Sequence, residues 1–160
     1  MNIVEQLGWR LDLAGELDHR LIKAPSVKLR SMRQGLCGDR VFCVDLRVRP
    51  PNNNDQLSPT ELHSMEHFLL EGLQRHLPEQ FISLGIMGCR TGFYLVFMNE
   101  GRADTICSVL QRVLEGILSA ATVPYARVDQ CGHFRDHDLE RAQAVAREIL
   151  MRRADWLDAA

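Results

Sequence analysis

The chain has 160 residues, 46% hydrophobic and 25% charged, with a formal net charge of −2 at pH 7. This length and balance suit a single domain, residues 1–160, with a real hydrophobic core. The slight acidity and the absence of a long basic run argue against nucleic acid as a partner, and no apolar run approaches the roughly 20 residues that span a bilayer.

The N-terminal stretch "MNIVEQLGWRLDLAGELDH" has acids mixed in and lacks the basic start and apolar core of an export signal, so a cytoplasmic location is expected. The five cysteines, at 37, 43, 89, 107 and 131, are odd in number and form no CxxC pair. They are expected to be free thiols or ligands rather than a disulfide framework.

Residues 2–13 read as a short helix. "VFCVDLRVR" alternates, with Phe42, Val44, Leu46 and Val48 facing one way and Cys43, Asp45, Arg47 and Arg49 the other, the pattern of a half-buried strand. The Pro- and Asn-rich "RVRPPNNNDQLSPT" is a loop. It ends in a helix start signal: Ser58 as cap, Pro59 in the first position and Glu61 as the reciprocal capping-box residue, so a helix is expected from Pro59 to Leu77. "QFISLGIMG" and "TGFYLVFMN" read as two strands joined through "GCRTG". Helical spacing of Ile106, Val109, Leu110, Val113, Leu114 and Ile117 gives a further helix, and a last one is expected to start near Asp136 or Asp138 and run to about Trp156. Strands segregated from long helices predict an α+β fold, one antiparallel sheet with helices packed on one face.

The helix that starts at Ser58 carries "HSMEH". Positions i, i+3 and i+4 share a helix face, so His63, Glu66 and His67 lie together. Two imidazoles and a carboxylate suit a metal-assisted acid–base site. Two histidines at that spacing alone are as often one packed and one solvated side chain. The odds change with Cys131 in "DQCGHFRDHDLE", a cysteine on a Gly-containing turn before a helix, where backbone N–H groups favour the thiolate. Two His and one Cys leave one position of a tetrahedral metal for water or substrate. Cys89, flanked by Gly88 and Gly92 with Arg90 beside it, is a second candidate for a reactive thiol. Cys37, Cys43 and Cys107 read as packing residues. The same letters fit the H-x-x-E-H pattern of inverted zinc peptidases. That reading needs a downstream carboxylate ligand and a fold able to grip a peptide, and Cys131 is better placed than any acid.

"ELDHRLIKAP", "VDLRVRPPN", "LHSMEH", "MGCRTGFY" and "QCGHFRDHDLERA" occur in this order. Across roughly residues 16–150 the chain resembles the S-ribosylhomocysteine lyases, the LuxS family of autoinducer synthases. The resemblance implies that His63, His67 and Cys131 ligate the metal, ferrous iron in the family with zinc or cobalt as substitutes. It implies Glu66 and Cys89 as the acid–base pair and His19 and Arg47 as substrate contacts. It also implies a homodimer with sites at the interface, built from both subunits. The implied reaction moves a carbonyl along a ribose chain through enediolates and then eliminates homocysteine, leaving the autoinducer precursor 4,5-dihydroxy-2,3-pentanedione. Ala14 and Ser83 stand where the family has a serine and an aspartate, and residues 1–13 form an N-terminal extension. These departures keep open an altered-substrate or non-catalytic relative that binds a metal and a small ligand.

Overall fold

The protein's structure, a computed structural model, describes residues 2–160. In chain order its elements are α1 (Ile3–Gln6), β1 (Ser26–Gln34), β2 (Arg40–Arg47), α2 (Pro59–His76), β3 (Phe81–Ile86), β4 (Gly92–Met98), α3 (Ala103–Leu118) and α4 (Leu139–Met151), with short 3-10 turns at Leu11–Leu13 and Arg153–Asp155. The strands form one antiparallel sheet in the order β1-β2-β4-β3. This is the expected α+β architecture.

The sheet's inner face carries Val27, Leu29, Phe42, Val44, Leu46, Phe93, Leu95 and Phe97, all buried in one cluster with the apolar faces of α2, α3 and α4. Burial of a side chain of this size stabilises by roughly 1.5–3 kcal/mol, so this layer carries the fold. α2 and α3 approach closely: a Cβ on Gly72 would lie 2.5 Å from Val113 Cγ1. Gly92 is equally constrained, since a Cβ there would meet the Leu46 carbonyl oxygen at 2.1 Å. That close approach seats β4 against the end of β2, beside Cys89.

The sequence pattern did not reveal β1. Its inward phase runs through Val27 and Leu29, then switches to Met32, because a bulge between Leu29 and Ser31 inserts an unpaired residue and breaks the period of two. α4 stops at Met151, short of the expected Trp156. The 3-10 turn that follows swings Trp156 into the core, where its Nε1–H donates to the Ile149 carbonyl at 2.9 Å and its own carbonyl accepts from Val27 N–H at 2.7 Å.

The outer face of β2 is also less exposed than alternation implied. Asp45 and Arg47 are only 1% and 3% exposed. Asp45 is ion-paired with buried Lys28 at 3.1 Å, and Lys28 is held in turn by the Gly15 carbonyl. The N-terminal extension is docked: Trp9 is buried and donates its Nε1–H to the Gly101 carbonyl at 2.7 Å, while Ala103 N–H donates to the Leu7 carbonyl.

Candidate metal centre and acid–base site

α2 starts as its cap signal requires. Glu61 N–H donates to Ser58 Oγ, and Glu61 Oε2 accepts from Ser58 N–H at 2.7 Å. Leu62, Met65, Leu69 and Leu73 fix the helix's rotation by facing the core. His63 and His67 are thereby carried towards the 120–138 segment. One donor atom from each of His63, His67, Cys131 and His137 falls in a cluster whose members all lie within 4.8 Å of one another.

His63 Nδ1 lies 2.9 Å from the Asp136 carbonyl oxygen, and His67 Nδ1 lies 2.6 Å from that of Pro124. A carbonyl can only accept, so both Nδ1 atoms carry the proton, and in the neutral rings the Nε2 atoms are the ones left to ligate a metal. His63 Nε2 lies 3.4 Å from Cys131 Sγ, and the His133 amide also donates to that sulfur at 3.4 Å. Two neutral imidazole nitrogens and a thiolate are a donor set suited to a borderline divalent ion such as iron, cobalt or zinc. Asp136 supports His63 from outside the cluster. The Thr60 hydroxyl and then His63 hold its carboxyl below the usual range.

His137 was not recognised in the sequence. It stacks at 4.1 Å on His63 and 4.4 Å from His67, and burial together with those two rings pushes its pKa down to about 4. Only its place in "FRDHDLE", six residues after Cys131, hinted at it.

Cys89 lies on the β3–β4 turn. Leu57, just before α2, donates its N–H to the Arg90 carbonyl at 3.0 Å, which ties this turn to the start of the ligand-bearing helix. Cys89 Sγ sits 3.0 Å from Thr91 Oγ1, and that oxygen accepts from Arg47 Nη1 at 2.6 Å. Arg47 Nη1 is itself 3.8 Å from the sulfur. Cys89 is exposed, and the desolvation its neighbours impose opposes the thiolate, but hydrogen bonds from Thr91 and the Arg47 charge outweigh it, leaving the Cys89 pKa below its ordinary value. Thr91 is a second residue that sequence reasoning missed, since a threonine in a turn carries no signal of its own.

Two non-glycine residues with left-handed backbone flank the site: Arg90 (φ 59°), next to Cys89, and Tyr125 (φ 56°), next to the Pro124 that receives His67. Such conformations cost on the order of 1–3 kcal/mol and persist where the surroundings over-determine them.

The other expected positions are less engaged. Glu66 is half-buried and, among the described residues, its carboxylate has no hydrogen bond or ion pair. His19 is exposed, its Nδ1 3.2 Å from the Leu17 carbonyl oxygen, and it is not part of the four-donor cluster. Ala14 ends the first 3-10 turn, and Ser83 lies in β3 opposite Val96. Of the cysteines read as packing residues, Cys107 is buried, whereas Cys43 is half-buried and Cys37 is exposed on the loop after β1. A cavity of about 550 Å³ opens beside His137, lined by the 121–127 segment and Leu139.

The fold and this donor set define an α+β protein with a candidate divalent-metal centre and a separate activated thiol. Comparison with known proteins gives the family. The profile of S-ribosylhomocysteinase (LuxS) matches residues 14–160. An S-ribosylhomocysteine lyase of Halobacillus halophilus is 39% identical over 142 residues, 89% of this chain and 92% of that one. One from Listeria monocytogenes serotype 4a is 39% identical over 140 residues, 88% of this chain and 89% of its own, and one from Helicobacter pylori is 37% identical with the same coverage. The chain belongs to the LuxS family. The family match begins at residue 14, so the docked segment that carries Trp9 lies outside it.

Proposed function

We propose that the protein is a divalent-metal-dependent carbon–sulfur lyase that cleaves S-ribosylhomocysteine to homocysteine and 4,5-dihydroxy-2,3-pentanedione. The observation that carries this reading is the pairing of a three-ligand donor set with a second, separate thiol of lowered pKa, the turn of one tied to the helix of the other. In the proposal His63, His67 and Cys131 hold the ion, and ferrous iron is the native metal by family resemblance. The ion supplies Lewis acidity towards a carbonyl oxygen.

The rest is the work of side chains. Shifting a carbonyl along a sugar requires removing a proton from one carbon and delivering one to its neighbour, and eliminating homocysteine requires a further proton removal. Cys89, biased towards thiolate, is the base in one set of transfers, and Glu66, whose carboxylate is unengaged, serves the other. Arg47 stabilises the thiolate directly and through Thr91. Its buried Nε has no hydrogen-bond partner among the described residues, and a substrate contact is assigned to Arg47 by family resemblance. His19 is assigned a substrate contact across a homodimer interface. Support for a second copy comes from the outer sheet face, where the paired Val41 and Met98 are exposed beside the half-buried pair Cys43 and Val96. Five free cysteines suit a reducing, cytoplasmic setting. The family resemblance also implies a signalling role for the product.

The test is release of homocysteine thiol from S-ribosylhomocysteine by metal-loaded protein. Chelation should abolish release and one equivalent of Fe²⁺ or Co²⁺ should restore it, while His63→Ala should lose both metal and activity. Full activity in metal-free protein would reject the reading.

A further inference from the structure

His137 sits against the donor set with its Nε2 3.6 Å from Cys131 Sγ. Two ligands of one tetrahedral ion are about 3.5 Å apart, so distance alone would admit His137 as a fourth ligand. Its hydrogen bonds argue otherwise. His63 and His67 meet backbone carbonyls through Nδ1, whereas His137 Nδ1 meets the Ser64 hydroxyl at 3.4 Å. That hydroxyl oxygen already accepts the Asp138 N–H at 2.9 Å, and Ser64 is completely buried.

A buried hydroxyl needs an acceptor for its own proton. Among the described residues, His137 Nδ1 is the acceptor within reach. Nδ1 of His137 then presents a lone pair, and the proton resides on Nε2, which faces the sulfur. The two ligand histidines have the opposite tautomer.

We infer that His137 is a positioning residue, an N–H donor to the Cys131 thiolate locked in that tautomer by Ser64, rather than a fourth metal ligand. This rests on the metal assignment proposed above. It has two consequences for a loaded site. A thiolate that shares its charge with the His133 amide and His137 Nε2–H gives less of it to the cation, which remains the stronger Lewis acid. The fourth position stays free for a substrate oxygen.

The experiment reads the histidine tautomers directly, by NMR of zinc-loaded, full-length protein carrying isotopically labelled histidine. The expected spectrum has two imidazoles with zinc on Nε2 and a proton on Nδ1, from His63 and His67. His137 should have a protonated Nε2 and an unprotonated, metal-free Nδ1. Zinc on His137 Nε2 overturns the inference. So does a proton on His137 Nδ1.

Ser64→Ala supplies an independent reading. It should release the proton to Nδ1, shift the thiolate-to-cobalt charge-transfer band of cobalt-loaded protein, and lower metal affinity about 10–100-fold. An unchanged tautomer with an unmoved band contradicts the role given to Ser64. Neither measurement needs turnover. A protein inactive on S-ribosylhomocysteine can still bear the inference out, and an active lyase with three zinc-bound imidazoles would sink the inference alone.

Discussion

Cys89 and Cys107 are one side chain in two opposed settings. Burial pushes the Cys107 thiol up to about 11, so it stays protonated and inert. At Cys89 the Thr91 hydrogen bonds and the Arg47 charge overcome a smaller degree of burial and lower the pKa. Thiolate is the reactive form, so a lowered pKa means more reactivity at neutral pH and a reactive fraction that falls as pH drops through the shifted value. In a Cys37→Ser background, iodoacetamide at neutral pH should therefore alkylate Cys89 well before Cys107. Thr91→Val or Arg47→Ala should move the midpoint of the Cys89 rate–pH curve to higher pH. A midpoint unmoved by both changes would mean that neither residue supports the thiolate.

At this scale the sequence was readable where a motif concentrates chemistry. His63, Glu66 and His67 share a helix face by spacing, and Cys89 and Cys131 sit on glycine-containing turns. Thr91 and His137 were not legible, because their roles come from contacts between segments far apart in the chain: Thr91 with Arg47 of β2, His137 with Ser64 of α2.

Among the elements, α2 carries the site and was the most legible, because its capping box, its Pro59 start and its apolar stripe agree. The reciprocal Ser58–Glu61 hydrogen bonds satisfy backbone and side-chain groups that would otherwise be orphaned at the helix start. Ser58→Ala should cost about 0.5–2 kcal/mol of stability, read as a lower denaturant midpoint at unchanged slope. No change in midpoint would mean that tertiary packing alone holds the first turn. β1 escaped detection for a physical reason. Its bulge shifts the inward set from Val27 and Leu29 to Met32, and the buried Lys28 breaks the apolar reading further. Alternation also misjudged the outer side of β2, because burial of Arg47 and Asp45 depends on neighbours such as Lys28 that no local pattern contains.

On the scale of the whole molecule, the core layer holds α2 against the sheet, the Leu57–Arg90 backbone hydrogen bond holds the Cys89 turn to the start of α2, and the 120–138 segment closes over His63 and His67. Residues 2–13 add an anchor through Trp9 at the β4–α3 junction, a contact that no sequence motif indicated. The outer sheet face leads to an expectation about assembly. Sedimentation at micromolar concentration should show a dimer, and Val41→Glu with Met98→Lys should weaken it, because charges would be buried against an apolar partner face. A stable monomer in the unmodified protein would remove both the dimer and the shared placement of His19.

The proposed reaction needs one metal and one activated thiol acting together on S-ribosylhomocysteine. It is tested most directly by measuring kcat/KM for homocysteine release by the unmodified protein and by Cys89→Ala, both carrying one Co²⁺ per chain. Steady turnover is expected in the former and a loss on the order of 10²–10⁴-fold in the latter, the range that a single acid–base group contributes. Equal rates at equal metal occupancy, or no homocysteine from the fully loaded unmodified protein, would contradict it.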